Sequence, residues 1–419
     1  MANPRFSIVI PTRSRPQTLH FTLQTCLNQN YDDYEIVVCD NCGSVETEET
    51  VKTFGSARII YHRSNKPLCM RDNWELAYRL TRGDYVIFIG DDDGLAPYAL
   101  FQLDAFLRKH DTRAVTWKCG AYTWPDVGQR ELADQLKIPV SRHLAWRDGR
   151  SAIRAVVSGR MQANWLPNIY HGLVSRKVLE EILAHSQQLF GGYMVDTYSS
   201  FAVAYFAGRY AHMSAPMSIS GFSGDSHNIA FNYLRGKHLN MQRYREDNAR
   251  SGVNLHPWVP YLPTGWTCVG DSYLAARQDL FPDDKTMTFD RKFYIERLLR
   301  KPPIDELSDW PLMVDEIRQT LRDNVDLAAW FEKRIAGIKP RVTPRESYRN
   351  LWEDLRGISL YLDSKGYGVS NVADAASLMS KVLDYSEKPI SWTQGALEYV
   401  GLAERWKINR HLAALKQIS

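Results

Sequence analysis

The run Tyr85-Val86-Ile87-Phe88-Ile89, closed by Gly90-Asp91-Asp92-Asp93, limits what this chain can fold into more than any other segment. A strand whose side chains do not alternate between apolar and polar is buried on both faces. It needs a layer of structure on each side, so the segment predicts an α/β sheet covered by helices. The rest of the first third agrees with this. Residues 6–10 form a second bulky run closed by Pro11, and residues 34–39 and 57–61 read as further strands. Pro16 opens a helix with Leu19, Leu23, Cys26 and Leu27 at helical spacing. Helices are also predicted over 46–54, 69–80 and 98–110, and a strand over 114–117.

Strand–helix–strand repeats imply a mainly parallel sheet, and in such sheets ligands sit beyond the carboxyl ends of the strands. Four polar segments fall there: Pro11-Thr12-Arg13-Ser14-Arg15, Asp40-Asn41, Arg63-Ser64-Asn65-Lys66 and Asp91-Asp92-Asp93. From 122 to 227 the pattern loosens. Helices are predicted over 151–157, 176–183 and 196–207, with strands at 210–213 and 217–219 and polar loops at 162–171 and 221–228. Beyond 231 it turns mostly helical, including 311–331, 346–362 and 373–385.

Composition narrows the class. Across 419 residues, 44% hydrophobic and 24% charged content describes an ordinary folded protein. A net charge of +4 is too balanced to imply nucleic acid. No apolar run approaches the roughly 20 residues of a membrane span, and residues 1–5 carry no apolar signal core. The expected location is cytoplasmic, with room for a peripheral contact at the inner face of the cell membrane. The pair Cys39-Asp40-Asn41-Cys42 has CxxC spacing, but it follows a strand and has no second pair, so both are read as incidental thiols.

Three successive carboxylates repel one another unless something compensates, and a divalent cation with oxygen ligands is the usual solution. An acidic surface turn is the plainer explanation; the buried strand directly before the run favours the cation. At this point the sequence resembles a family. The first 115 residues or so are similar to the nucleotide-binding half of a family 2 glycosyltransferase with the GT-A fold. The matching pieces are Ser7-Ile8-Val9-Ile10-Pro11-Thr12, Val37-Val38-Cys39-Asp40-Asn41 with Ser44, Arg71-Asp72-Asn73, and Gly83-Asp84-Tyr85 ahead of Ile89-Gly90-Asp91-Asp92-Asp93.

The resemblance implies a Rossmann-like, mainly parallel sheet flanked by helices and followed by a mostly helical C-terminal region. It divides the chain into a nucleotide-sugar-binding half (1–120), an acceptor-binding half (121–235) and the helical region (236–419). It also implies roles. Pro11, Thr12 and Arg15 would line the nucleotide pocket. Asp40 would accept from the base N–H, which favours uracil, and Arg71 would approach the base or diphosphate. Asp91 would face the ribose or the metal, Asp92 would lie at the donor with no separate role, and Asp93 would coordinate Mn²⁺ or Mg²⁺. His227 would be a further metal ligand. Asp196, in Met194-Val195-Asp196-Thr197 at the start of a helix, stands where the family places its general base, with Val195 in place of the usual first acid. Capping of that helix is the plainer role for Asp196. Trp165 and His171 flank the acceptor loop and fit either sugar contact or packing.

The expected activity is inverting transfer of a sugar from a UDP-sugar to a hydroxyl of a glycan or lipid-linked saccharide, in bacterial cell-surface polysaccharide synthesis. A non-catalytic sugar-binding or scaffold relative and a nucleotidyltransferase are the alternatives; the latter would want a glycine-rich loop after the first strand, which residues 11–15 lack. Self-association and a role for the basic segment Arg297-Leu298-Leu299-Arg300-Lys301 at a membrane are left open.

Overall fold

A computed structural model describes residues 3–128, 132–226, 239–342, 358–395, 398 and 400–416. The first half runs β1 (Phe6–Thr12), α1 (Pro16–Leu27), β2 (Tyr34–Asp40), α2 (Val45–Thr53), β3 (Ile59–Arg63), α3 (Met70–Arg79), β4 (Tyr85–Phe88), β5 (Gly94–Leu95), α4 (Ala99–Leu107), β6 (Ala114–Trp117), β7 (Gly120–Thr123), β8 (Gln135–Pro139), β9 (Leu144–Asp148), α5 (Gly149–Val157), β10 (Gly172–Ser175), α6 (Arg176–Ser186), α7 (Val195–Ala207), β11 (Arg209–Met213) and β12 (Ser218–Phe222). There follow α8 (Leu239–Arg250), α9 (Gly265–Leu280), α10 (Arg291–Arg300), α11 (Trp310–Gln319), α12 (Val325–Ala336), β13 (Ser359–Asp363), α13 (Val372–Leu383) and α14 (Leu402–Lys416).

Eight strands form the main sheet in the order β3-β2-β1-β4-β10-β6-β11-β9. Its first four strands are parallel, with Ile8 beside Ile36 and Ile87, and β10 then turns the sheet mixed. The side chains of β1, β2 and β4 divide between two cores as the strand period requires. Val9, Val37, Cys39, Val86 and Phe88 face the core built with α3, α5–α7 and α9–α12. Ile8, Ile10, Ile36, Val38, Ile87 and Ile89 face the core under α1, α4 and α13. The expected α/β class with helices on both faces is therefore present, with a helical C-terminal region.

A second sheet, β13-β8-β7-β12-β5, packs beside it. β5 is the continuation of the acidic run, and it pairs antiparallel with β12 through Leu95–Ser218 and Gly94–Ile219. The short β5 thus carries the chain from one sheet into the other directly after Asp93.

Two helical expectations need correction. Residues 359–363 are a strand, β13, antiparallel to β8 with Leu360 opposite Ile138, where a helix over 346–362 was expected. Its sequence Ser-Leu-Tyr-Leu-Asp suits a pleated surface, and pairing with β8 decides the matter; residues 346–357 lie outside the described residues. The helix expected over 311–331 is two, α11 and α12, because the Asn324 side chain accepts from the Leu327 N–H (2.9 Å) and starts a new helix.

Phe88 is fully buried and stacks on Trp74 with ring centroids 5.0 Å apart. Phe88→Ala is expected to cost about 3–5 kcal/mol in urea unfolding. Leu312→Ala, at a side chain 68% exposed, is the control and should stay within about 0.5 kcal/mol.

Candidate active site

The carboxyl ends of β1, β2 and β4 converge on a group of buried acids. Asp91 accepts from the Thr12 hydroxyl (2.6 Å) and pairs with the Arg15 Nη1 (2.6 Å). Asp92 pairs with the Arg15 Nη2 (2.7 Å) and accepts from the hydroxyl (2.7 Å) and backbone N–H (3.3 Å) of Ser223, just past β12. One guanidinium therefore bridges two neighbouring carboxylates. Burial pushes the Asp91 pKa up to about 6, with the Asp92 charge adding to it and Arg15 opposing. Burial works against the Arg15 charge, but the two acids outweigh it and hold the guanidinium charged.

Asp93 is turned away from this pair and is 0% exposed. Its Oδ1 accepts from the Gly221 N–H (2.7 Å), and its Oδ2 accepts from the Gly90 N–H (2.6 Å) and the Tyr170 hydroxyl (2.6 Å). His171 Nε2 lies 3.0 Å from the same Oδ2 without the alignment of a hydrogen bond, so this contact is an ion pair. Burial alone would raise the Asp93 pKa; His171 and the Tyr170 and Gly221 donors outweigh it and hold it below the usual carboxylate range. Burial likewise disfavours a charged His171, and Cys119 and Asp93 together overcome that and raise it well above the ordinary value. The approach of β12 to the acids is so close that a Cβ on Gly221 would lie 1.8 Å from the Asp92 carbonyl oxygen. Only glycine fits there.

The other expected site residues fall in several places. Pro11 and Thr12 end β1, where Thr12 meets Asp91. Asp40 is fully buried, its oxygens accepting from the Gly43 N–H (2.8 Å) and the Tyr61 hydroxyl (2.8 Å). It braces its own turn and presents no exposed oxygen to a base. Arg71 makes no contact with the acidic run; its Nε pairs with Asp72 (2.9 Å), and it lines a separate pocket of about 320 Å³ with Gly192, Asn254, His256 and Asp271. Trp165 packs against His212 and under the Arg147 guanidinium. The thiols of Cys39 and Cys42 are free. His227 lies outside the described residues.

Asp196 occupies the first turn of α7, where Met194 stands at the cap position and backbone N–H groups of that turn face the acid. Its pKa is raised, burial being the cause, against backbone donors in the same turn. The loop leading into α7 is held from the C-terminal region: Asp271 of α9 accepts from the N–H groups of Tyr193 (2.6 Å) and His256 (2.7 Å). Tyr170, Ser223 and Asp271 escape a reading of the sequence alone, because each meets its partner only through long-range pairing.

Open α/β sheets hold nucleotides at this edge, and sequence comparison narrows the class. Residues 7–155 match the profile "Glycosyl transferase family 2". This part of the chain, about a third of its length, is thus similar to glycosyl transferase family 2. The chain is similar to the Escherichia coli UDP-Glc:alpha-D-GlcNAc-diphosphoundecaprenol beta-1,3-glucosyltransferase WfaP, 26% identical over 87 residues (21% of this chain, 35% of the relative). It is also similar to a PGL/p-HBAD biosynthesis glycosyltransferase of Mycobacterium bovis, 30% identical over 115 residues (26% of this chain, 44% of the relative). The chain thus spans well under two thirds of these relatives' lengths. Among solved structures, S. aureus TarS 1–349 in complex with UDP-GlcNAc shows a distant likeness, with 12% identity, a TM-score of 0.44, and 95% of this chain and 99% of that chain covered.

Two outcomes follow for Asp271, whose pKa burial pushes up to about 6 from 3.8. The folded chain then holds its proton more tightly than the unfolded one between these values. Stability relative to Asp271→Asn is expected to fall as pH rises from 3.8 through about 6, measured by urea unfolding at either side of the window. At neutral pH the variant replaces an acceptor with an amide facing a backbone N–H, an expected loss of about 1–3 kcal/mol.

Proposed function

We propose that the chain transfers a sugar from a UDP-sugar to a hydroxyl of a glycan or lipid-linked saccharide, with inversion, in bacterial cell-surface polysaccharide synthesis. The observation that carries this reading is the separation of two acidic stations: Asp91 and Asp92 bridged by Arg15, and Asp196 raised in pKa at the start of α7. The E. coli relative supports the donor and acceptor class, since its name gives UDP-Glc as donor and a diphosphoundecaprenol-linked sugar as acceptor.

The donor set fits a divalent ion at Asp92, with Asp91 beside it, better than one at Asp93. Two carboxylates against one guanidinium leave an excess of negative charge. Both oxygens of Asp93 are taken by protein donors, and those of Asp91 by Thr12 and Arg15, whereas the Arg15 and Ser223 contacts of Asp92 all fall on Oδ2. Among the described residues no three His, Cys, Asp or Glu side chains gather as a cation cage. The protein would thus supply one or two carboxylates and leave the remaining positions to diphosphate and water, the pattern Mg²⁺ favours. We therefore give Asp92, with Asp91, the ligand role first expected of Asp93, and keep His227 as a proposed further ligand. Bound there, Mn²⁺ or Mg²⁺ supplies charge neutralisation on the leaving diphosphate.

Asp196 takes the proton of the acceptor hydroxyl as that oxygen attacks the anomeric carbon opposite the leaving group. The bond from the anomeric carbon to the UDP oxygen breaks in the same displacement, which inverts the configuration. A carboxylate whose pKa burial has raised is a better base for this than an ordinary one. Thr12, Pro11 and Arg15 border the donor side, Arg15 as a fixed positive charge beside the diphosphate.

UDP release over a panel of donors and acceptors, with and without EDTA, tests the reading. Asp196→Asn is expected to lower kcat by about 10²–10⁴-fold, and Arg15→Gln to weaken UDP binding by roughly tenfold or more. An Asp196→Asn enzyme at the normal rate removes the base, and full activity in EDTA removes the metal. Neither UDP binding nor turnover with any donor would sink the transferase reading.

A further inference from the structure

Asp93, Tyr170 and Asn168 take no part in the chemistry just described, yet they form a continuous line between its two stations. Tyr170 donates its hydroxyl to Asp93 (2.6 Å). Its backbone N–H donates to the Asn168 Oδ1 (3.0 Å), and the same oxygen accepts from the Ser199 hydroxyl of α7 (2.9 Å). Ser199 Oγ also lies 2.7 Å from the Asp196 carbonyl oxygen, so it shares its proton between Asn168 and the turn that carries the base.

The segment holding these residues cannot drift. The Phe88 N–H donates to the Ile169 carbonyl and the His171 N–H to the Phe88 carbonyl, both at 2.9 Å, which stitches it to the end of β4. His171 is held at φ +53°, a left-handed conformation unusual for a non-glycine residue. It is fixed by Ser218 at Nδ1 (2.8 Å) and by Asp93 at Nε2. Strain of this kind persists only where surrounding contacts over-determine it.

We propose that Asp93, Tyr170 and Asn168 are positioning residues that set the place of Asp196 relative to the donor acids, so that the acceptor oxygen meets the anomeric carbon in line. The inference rests on the reading of Asp196 as base. Asp93 acts through Tyr170 and touches neither substrate nor ion. A rigid link matters because a misplacement of about 1 Å costs on the order of 10²-fold in rate.

The test compares Tyr170→Phe, which deletes one hydroxyl, with Asn168→Ala and Asn168→Ser, and runs Asp93→Asn and Asp196→Asn beside them. Each is measured for kcat, donor KM, UDP affinity by calorimetry, and melting temperature. Tyr170→Phe is expected to lose about 10- to 100-fold in kcat, and Asn168→Ala roughly 3- to 30-fold, both with donor KM and UDP affinity unchanged. Asn168→Ser, which keeps a hydroxyl, should recover part of the loss. A role in folding alone would lower the melting temperature while leaving kcat per folded molecule intact, and that result overturns the proposal. So does a Tyr170→Phe enzyme whose loss lies entirely in UDP affinity, which would place the network at the donor. Should Asp93→Asn fail to fold, the Tyr170 and Asn168 variants still decide. Full kcat in Asp196→Asn would instead show that the base reading had failed; a dead Asp196→Asn beside fully active Tyr170 and Asn168 variants would show that the network had.

Discussion

A carboxylate with no water around it must find donors inside the protein or lose its charge. Asp93 finds them on three separate elements: Gly90 at the end of β4, Tyr170 and His171 ahead of β10, and Gly221 in β12. That single requirement joins the two sheets, since β4 belongs to one and β12 to the other. It also fixes which way the acidic run faces. With Asp93 turned inward, Asp91 and Asp92 are placed against Thr12, Arg15 and Ser223. The bare Cα of Gly221 is what lets β12 come close enough to donate.

Three adjacent acids are a problem of charge, and the protein solves it in two ways. Asp93 is answered by a histidine and hydrogen-bond donors; Asp91 and Asp92 are answered by one shared guanidinium. Burying such ions is weak evidence for stability, because desolvation offsets most of the attraction. What the arrangement provides is a defined geometry, in which burial raises the Asp91 pKa and the Arg15 charge opposes it. The acids thus face two ways, although all three stand side by side in sequence.

Much of the α/β sheet was legible because its strands speak locally. Apolar runs at 85–89, 34–39 and 6–10, each closed by polar residues, mark buried strands whatever follows. The gathering of the acids at one sheet edge was legible too, since parallel strands bring their carboxyl ends together. Division of labour within Asp91-Asp92-Asp93 was not, because it depends on Tyr170, His171 and Gly221, which lie at least 77 residues away from their partner. Asp40 and Arg71 show the same limit. Strand-end or helix position brought each under notice, but Tyr61 and the Gly43 turn claim the first, and the second faces another pocket. β13 failed for a related reason: its residues fit either period until β8 offers a partner.

The C-terminal region, whose sequence says least about its purpose, holds the loop that leads into α7. Asp271 grips the Tyr193 N–H, Ser272 donates to the Met194 carbonyl (3.2 Å), and the Tyr244 hydroxyl donates to the Tyr193 carbonyl. These three contacts converge on the two residues immediately before α7. Arg13, just past β1, pairs with Asp247 of α8 (2.7 Å), so the same helix also reaches the end of β1. The loop before α7 is rich in glycine, with Gly191 and Gly192 in succession, and local preference alone would leave it free. Its order comes from α8 and α9 packed across it. The helices after residue 239 therefore bear on the proposed site, through the backbone just before Asp196.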